Sequence, residues 1–300
     1  MGKLLAGSHF FRENAGNFPA RSQNMATHTF YLYRYQLLPI TKQYDLRYDL
    51  DEIIRNKNEY FKNAILQLKH ELPKSKKKTY TYEVKSYIED NFLVILSKKQ
   101  NVKYYTHEHR EEYIDSFPPA RIIINNKSDV QVIAIEKSKY DPNTIRNVIE
   151  YFINNELERN NLSIKIAPLY KESTFWDFIE RNKDYIEHVK FTLITPNMSN
   201  ISGGLCSDLK DIAKRTKAVT SEYKIIADKN ATLRIDDSDS AIAGLAEYTA
   251  NGGGSAQIKL RNSKVKYKSN DHQLEIEIGD FEFNGPLSSL GDKIQKAKIS

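Results

Sequence analysis

Cysteine is the scarcest reactive residue in this sequence, since Cys206 is the only one among 300 residues. A single thiol cannot form an internal disulfide or a cysteine-based zinc cluster. This composition favours a reducing, cytoplasmic location. The sequence also lacks an apolar run of about 18 residues, the length that a membrane-spanning helix needs. We therefore expect no membrane insertion.

Recognisable catalytic motifs are also missing. The sequence contains no G-x-S-x-G, H-E-x-x-H or G-x-x-x-x-G-K-[ST] pattern. His107 and His109 are two residues apart, but a zinc site needs three or four ligands, and no third histidine is near them in the sequence. We expect neither a metal nor a cofactor. Residues 1–24 lack a continuous apolar segment typical of a signal peptide, and we interpret them as a flexible leader or tag before a native start at Met25.

Strand-like and helix-like patterns together predict an α+β fold. Residues 27–40 alternate aromatic and polar side chains as a strand does, and residues 49–72 carry apolar side chains at helical spacing. Strand patterns continue to about residue 137, whereas strands and helices alternate beyond it. We expect mixed or antiparallel sheets with helices packed on one face, in two subdomains. These are a strand-rich unit with one long helix at 25–137 and an alternating α/β unit at 138–300.

Positive charge is in slight excess and is concentrated in two segments. The sequence has 45 Lys and Arg against 39 Asp and Glu, a formal net charge of +6. Such an excess favours anionic partners. One basic segment is a predicted helix that carries Lys210, Lys214 and Lys217 on one face, with Arg215 beside them.

The other basic segment is NGGGSAQIKLRNSKVKYK, residues 251–268, which contains five cations and no acid. Its glycines follow a predicted helix, and we interpret them as the helix C-cap, with one glycine at positive φ. A two-residue turn at Asn262 and Ser263 would pair the flanking strands and place every cation on one face. These cations are Lys259, Arg261, Lys264, Lys266 and Lys268.

Two kinds of partner can offset the repulsion within this cationic face. The first is the phosphate backbone of a nucleic acid, most simply DNA, bound by the helix and hairpin cations without catalysis. The second is internal: Glu275 and Glu277 alternate with apolar residues in LEIEI and could lie beside the hairpin as a third strand. In that case the chain is a protein-interaction module. Both alternatives stay open from the sequence.

A metal-dependent nuclease is the catalytic alternative. Gln257 and Lys259 have the spacing of a permitted variant of the (D/E)-x-K signature of restriction-endonuclease-like enzymes, in which acids bind Mg²⁺ and the lysine polarises the phosphate. Asp236 or Asp237 would supply the metal ligand. A predicted helix at 240–250 separates these acids from Gln257, whereas that fold takes its acid from a neighbouring strand. We therefore favour the non-catalytic interpretation.

The order of elements from Ala120 to Thr195 resembles a known group. A buried strand pair (RIIINN and VQVIAIEKS) is followed by a helix, the strand LSIKIAPL, another helix and the strand HVKFTLITPN. This arrangement resembles that of the lambda Rex exclusion protein and similar bacterial phage-defence proteins, including the DNA-binding partner in Kiwa systems. The resemblance covers a quarter of the chain and carries over no catalytic motif. It implies a cytoplasmic, DNA-binding component of an anti-phage system that forms homo-oligomers or assembles with other defence subunits.

Overall fold

The fold is α+β, as the sequence predicts. The computed structural model describes residues 26–40, 50–75, 78–194, 215–216 and 218–299, which form two antiparallel sheets, a separate two-stranded hairpin and six helices. The predicted leader at 1–24 and three of the predicted binding residues, Lys210, Lys214 and Lys217, lie outside the described residues.

The large sheet has eight strands. In chain order they are β1 (Thr27–Pro39), β2 (Glu71–Ser75), β3 (Lys78–Ile88), β4 (Asn91–Lys98), β7 (Pro119–Asn125), β8 (Val132–Glu136), β9 (Leu162–Pro168) and β14 (Glu275–Gly279). Their order in space is β14-β1-β8-β7-β4-β3-β2, and β9 pairs with the C-terminal half of β1. The separate hairpin consists of β5 (Gln100–Tyr105) and β6 (Glu111–Ser116).

Helices cover both faces of the large sheet, whereas we expected them on one face. Helices α1 (Leu50–Gln67) and α2 (Pro142–Leu157) pack on the side to which Tyr33 and Tyr35 of β1 point. Helix α6 (Leu287–Ile299), preceded by the short α5 (Asp280–Phe283), packs on the other side against Phe30 and Leu32. Because successive strand residues point to opposite faces, the apolar run of β1 supplies both cores.

The small sheet contains β10 (Ile186–Ile194), β11 (Thr220–Ile226), β12 (Gly254–Leu260) and β13 (Lys266–Lys268), in the order β11-β10-β12-β13. Helices α3 (Glu172–Asn182) and α4 (Ser240–Tyr248) pack on one face of it. The core on that side contains Phe175, Phe191, Leu245 and Ile258. Helix α3 begins at Glu172 after Lys171, with no side-chain cap. In the described part of the chain, the opposite face of the sheet carries mostly polar side chains that are half-buried or exposed, together with the apolar Ile194 and Ile226.

The predicted boundary at 137/138 does not separate the two sheets. Strands β9 and β14 follow residue 138 in the chain but pair with β1 in the large sheet. Helices α2 and α6 also follow residue 138, and they pack against the faces of that sheet. The small sheet takes its strands from residues 186–268 alone. Pairing between strands far apart in sequence therefore decides the organisation of the chain.

The three glycines at 252–254 join α4 to β12 of the small sheet and contact β1 of the large sheet. Helix α4 continues into a π-turn, Thr249–Gly253, whose C-cap is Gly254. A glycine therefore ends the helix as predicted, but two glycines have a positive φ where we expected one, Gly252 at 75° and Gly254 at 152°. The Gly252 carbonyl accepts a hydrogen bond from Nε2 of the buried Gln36 on β1, at 3.0 Å. A Cβ on Gly252 would lie only 2.4 Å from Cβ of Arg34. Only glycine permits this close approach of the chain to β1.

Candidate nucleic-acid interface

The basic hairpin forms with the predicted register. In the ladder between β12 and β13, Lys259 pairs with Lys266 and Gln257 with Lys268. Because β12 ends at Leu260 and β13 begins at Lys266, the connection is residues 261–265, longer than the two-residue turn that we expected, and Asn262 within it has a φ of 51°. Ile258 and Tyr267 point into the core, so the lysines on either side of them point outwards. The alternation of apolar and basic residues in the sequence therefore corresponds to a buried face and an outward-facing face of the hairpin.

Neighbouring strands extend this basic surface. Across the sheet, Lys224, Lys190, Gln257 and Lys268 are successive ladder partners and form one row. Ile226, His188, Lys259 and Lys266 form the next row in the same way. We call the outward-facing side chains of these two rows, apart from Ile226, the basic face. Its members are His188, Lys190, Lys224, Gln257, Lys259, Lys266 and Lys268.

Two acids neutralise part of the basic face. Nζ of Lys190 lies 2.6 Å from the Glu222 carboxylate, and Nζ of Lys259 lies 2.9 Å from that of Glu187. The other three cations, Lys224, Lys266 and Lys268, have no acidic partner within 4.0 Å in the described part of the chain. Five lysines therefore share the face with two acids, and three ammonium groups are available to an external anion.

The internal alternative of a meander with Glu275 and Glu277 is wrong. Strand β14, which carries both residues, pairs with β1 in the large sheet, so that Glu277 lies opposite Thr29 and Glu275 opposite Tyr31. Burial of an apolar side chain explains this pairing, because Ile278 of β14 is fully buried in the core that α6 forms with β1. Burial of such a side chain contributes about 2 kcal/mol, more than an exposed ion pair would.

The remaining predicted cations differ in their surroundings. Arg261 lies at the end of β12, and its guanidinium donates hydrogen bonds to the backbone carbonyls of Asp228, Lys229 and Ala231. It therefore fixes the segment after β11 to the hairpin. Lys264 is exposed in the hairpin turn, and Arg215 is exposed in its short described segment. Neither belongs to the two rows of the basic face. Of the five hairpin cations that we expected on one strand face, only Lys259, Lys266 and Lys268 lie in these rows.

The pKa values of two groups on this surface are shifted by their surroundings. Burial, followed by the positive charges of Lys224 and Lys259, lowers the pKa of His188, while Glu187 acts in the opposite direction. The hydrogen bond from Lys259 lowers the pKa of the Glu187 carboxyl. Burial, with a smaller effect of the nearby lysines, therefore keeps the pKa of His188 low and favours its neutral form near neutral pH.

The residues of the nuclease alternative do not form a metal centre in the described part of the chain, where no group of three or more His, Cys, Asp or Glu side chains is placed to hold a metal ion. Asp236 accepts hydrogen bonds from the backbone and hydroxyl of Ser238, and the nearby Asp239 caps α4. Asp237 is exposed beside them. Lys259 is paired with Glu187. The nuclease interpretation stays a prediction from the Gln257 and Lys259 spacing alone.

Sequence reasoning missed Lys190, Lys224 and His188. His188 and Lys190 alternate with the buried Val189 and Phe191 in β10, and Lys224 alternates with half-buried residues in β11, but single strands with one or two cations are common. These residues join the basic face only because β10 lies between β11 and β12. No short sequence pattern predicts this strand order.

No protein-family model matches this chain. Comparison with curated proteins likewise finds no significant similarity in sequence. The resemblance of residues 120–195 to phage-exclusion proteins therefore stays a prediction. Of the helices in the described residues, none combines the length and apolarity required to cross a membrane.

Proposed function

We propose that this protein is a cytoplasmic, non-catalytic component of a bacterial anti-phage defence system that binds DNA through the basic face. The observation that supports DNA binding most is the juxtaposition of two cross-strand rows that carry five lysines and one histidine on a single open sheet surface. The role in defence rests on the resemblance of residues 120–195.

The composition of the face favours contacts with phosphate over contacts with bases. Lysine ammonium groups bind phosphates as point charges and release counterions from the nucleic acid. Proteins that recognise bases on a sheet surface use aromatic side chains for stacking. On the described strands of the small sheet, no outward-facing residue is Phe, Tyr or Trp, and Tyr267 is buried. We therefore expect binding without sequence preference.

The test is an electrophoretic shift of two unrelated DNA duplexes over a salt series. The central variant replaces the three unpaired lysines, Lys224, Lys266 and Lys268, with Gln. The matched control replaces Lys69, Lys139 and Lys296, which are exposed and lie outside the small sheet, with the same change in net charge.

The wild type should bind both duplexes equally, with log K falling linearly against log salt. Loss of three phosphate contacts should lower the slope by about 2 to 3 units. The control should keep the wild-type slope. Equal affinity of the two triple variants would contradict the assignment of the face, and a strong preference for one duplex would contradict phosphate-only recognition.

A further inference from the structure

A cleft of about 500 Å³ lies between the two sheets, away from the basic face. Its walls come from the connection between β9 and α3 (169–173), from Ala250 and Asn251 of the π-turn, from Leu274, and from Ala297 and Lys298 at the end of α6. None of these residues belongs to the two rows of the small sheet. The cleft is therefore a separate feature of the molecule.

Lys298 is held in this cleft without a carboxylate partner. Its Nζ donates hydrogen bonds to the backbone carbonyls of Asp129 and Val130, at 3.0 and 2.7 Å. In the described part of the chain, no carboxylate oxygen lies within 4.0 Å of it. An ammonium group has three N–H donors, so one donor is left after these two bonds.

Arg34 of β1 is a second cation near the cleft, although it is not one of the residues that line it. Its Nη1 donates to the carbonyl of Asn251, which lines the cleft, at 3.2 Å. Its Nε is buried and has no hydrogen-bond partner in the described structure. A buried guanidinium N–H without an acceptor is costly, and natural proteins rarely leave one unpaired.

The charges around the cleft are predominantly positive. Burial, followed by the charge of Arg34, lowers the pKa of Lys298 to about 8, while Asp129 acts in the opposite direction. Lys171 and Glu172 also line the cleft, and the Glu172 carboxylate accepts a hydrogen bond from Nε1 of Trp176. Two cations (Lys171 and Lys298) and one acid (Glu172) therefore line the cleft, and Arg34 adds a positive charge close enough to lower the pKa of Lys298.

We propose that this cleft binds a phosphate-bearing small molecule, with the phosphate group accepting a hydrogen bond from Lys298, which lines the cleft. The phosphate takes the N–H donor that Lys298 has left, and its negative charge offsets the repulsion between Lys298 and the nearby Arg34. Leu169 and Leu274 offer an apolar wall to the body of the ligand. The site does not depend on DNA binding by the basic face.

The test is calorimetric titration of the full chain with phenyl phosphate at pH 7 and physiological salt. We expect a single site, and Lys298→Met should weaken binding by ~10-fold or more, because charge-assisted hydrogen bonds are the stronger class. Lys296→Met, on the exposed side of the same helix, should bind as the wild type does. Absence of binding at millimolar phenyl phosphate, or equal affinity in Lys298→Met, would overturn the proposal. Equal affinity for benzoate would overturn the assignment to phosphate.

A pH series keeps the proposal testable even if Lys298→Met folds poorly. A phosphate monoester has its second pKa near ~6 and stays a dianion between pH 7 and pH 9. Lys298 loses its proton near pH 8, so wild-type affinity should fall over this range. In Lys298→Arg, the guanidinium stays charged and the affinity should be constant. A wild-type affinity that is independent of pH would overturn the role of Lys298. The triple Gln variant of the basic face should bind phenyl phosphate normally, which separates this site from the DNA interface.

Discussion

The ammonium group of Lys259 lies 2.9 Å from the carboxylate of Glu187, so a cation at the centre of the basic face is already paired within the protein. Glu187 lies at the irregularity where the register of β10 against β12 shifts. The outward-facing lysine consequently has an acid beside it on the neighbouring strand. This pair limits how much of the basic face an external phosphate can use.

Glu187→Gln should strengthen DNA binding. The substitution removes a negative charge from the face and leaves Lys259 available for a further phosphate contact. The slope of log K against log salt should become steeper by ~1 unit, the change expected for one more phosphate. Fluorescence anisotropy of a labelled duplex over a salt series measures both quantities.

The control for this variant is Glu180→Gln on α3. Glu180 is exposed and paired with Lys183 at 3.0 Å, as Glu187 is with Lys259, but it lies outside the basic face. It should alter the salt slope little. An equal increase in both variants would show that net charge alone, and not the position of Glu187, governs binding.

DNA binding should become tighter as pH falls from 7.5 to 5.5. His188 has a lowered pKa and is neutral in the free protein near pH 7. A phosphate beside it favours the imidazolium form and raises its pKa, so binding takes up a proton. We expect a gain in affinity of ~3-fold or more, since one pKa unit corresponds to ~1.4 kcal/mol. In His188→Gln, this part of the pH dependence should be lost.

The free protein should show the opposite trend in stability. Because the folded-state pKa of His188 lies below the unfolded value of ~6.5, the unfolded chain takes up the proton more readily. The contribution of His188 to the free energy of unfolding is therefore fully present above that pH and decreases as the pH falls through it. Urea titrations of wild type and His188→Gln at pH 7.5 and 5.5 measure this. A wild type that loses no more stability than the variant would contradict the lowered pKa.

Gly254→Ala should destabilise the small sheet strongly. Gly254 has a φ of 152°, and a Cβ there would lie 1.9 Å from the backbone carbonyl oxygen of Thr192 on β10. The backbone of one strand would have to move, so we expect a loss of at least ~2 kcal/mol in the free energy of unfolding. Gly279→Ala is the matched control, because the nearest atom to its Cβ is the end of the Glu282 side chain at 3.9 Å. Similar losses in the two variants would show that the contact with Thr192 is not the cause.

The basic hairpin could be predicted because its information is local. Alternation of Lys259, Lys266 and Lys268 with Ile258 and Tyr267 determines both the register and the exposed side. Such a pattern depends only on the period of a strand. The glycines that end α4 could be predicted for the same reason, since a helix C-cap depends on residues adjacent in the chain.

The rest of the site depends on pairing across long sequence distances. The LEIEI pattern of β14 fits an exposed edge of either sheet, and burial of Ile278 beside β1 decides between them. Lys190 and Lys224 become neighbours only because β10 and β11 pair. Arg34 and Lys298 lie near opposite ends of the chain. Strand order is a property of the whole core, which no short pattern encodes.

The position of β13, and with it Lys266 and Lys268, depends on Tyr267. This side chain is almost fully buried, its ring centroid is 5.8 Å from that of Phe175, and its hydroxyl lies 3.0 Å from Oγ1 of Thr174. Tyr267→Ala should lower the free energy of unfolding by about 3 to 5 kcal/mol, as for other large aromatic deletions. Because β13 has three residues and this one anchor, the two lysines should lose their fixed places and DNA affinity should fall.

Tyr267→Phe separates the anchoring role from the hydroxyl. It keeps the ring packing and loses one hydrogen bond, so we expect a cost of ~1 kcal/mol and wild-type DNA affinity. Val265→Ala, on the exposed turn beside it, should change neither quantity. Urea unfolding and anisotropy on the same samples measure stability and binding together. If Tyr267→Ala folds and binds DNA as the wild type does, the lysines of β13 do not contribute to the interface, and the basic face would be reduced to the lysines of β10, β11 and β12.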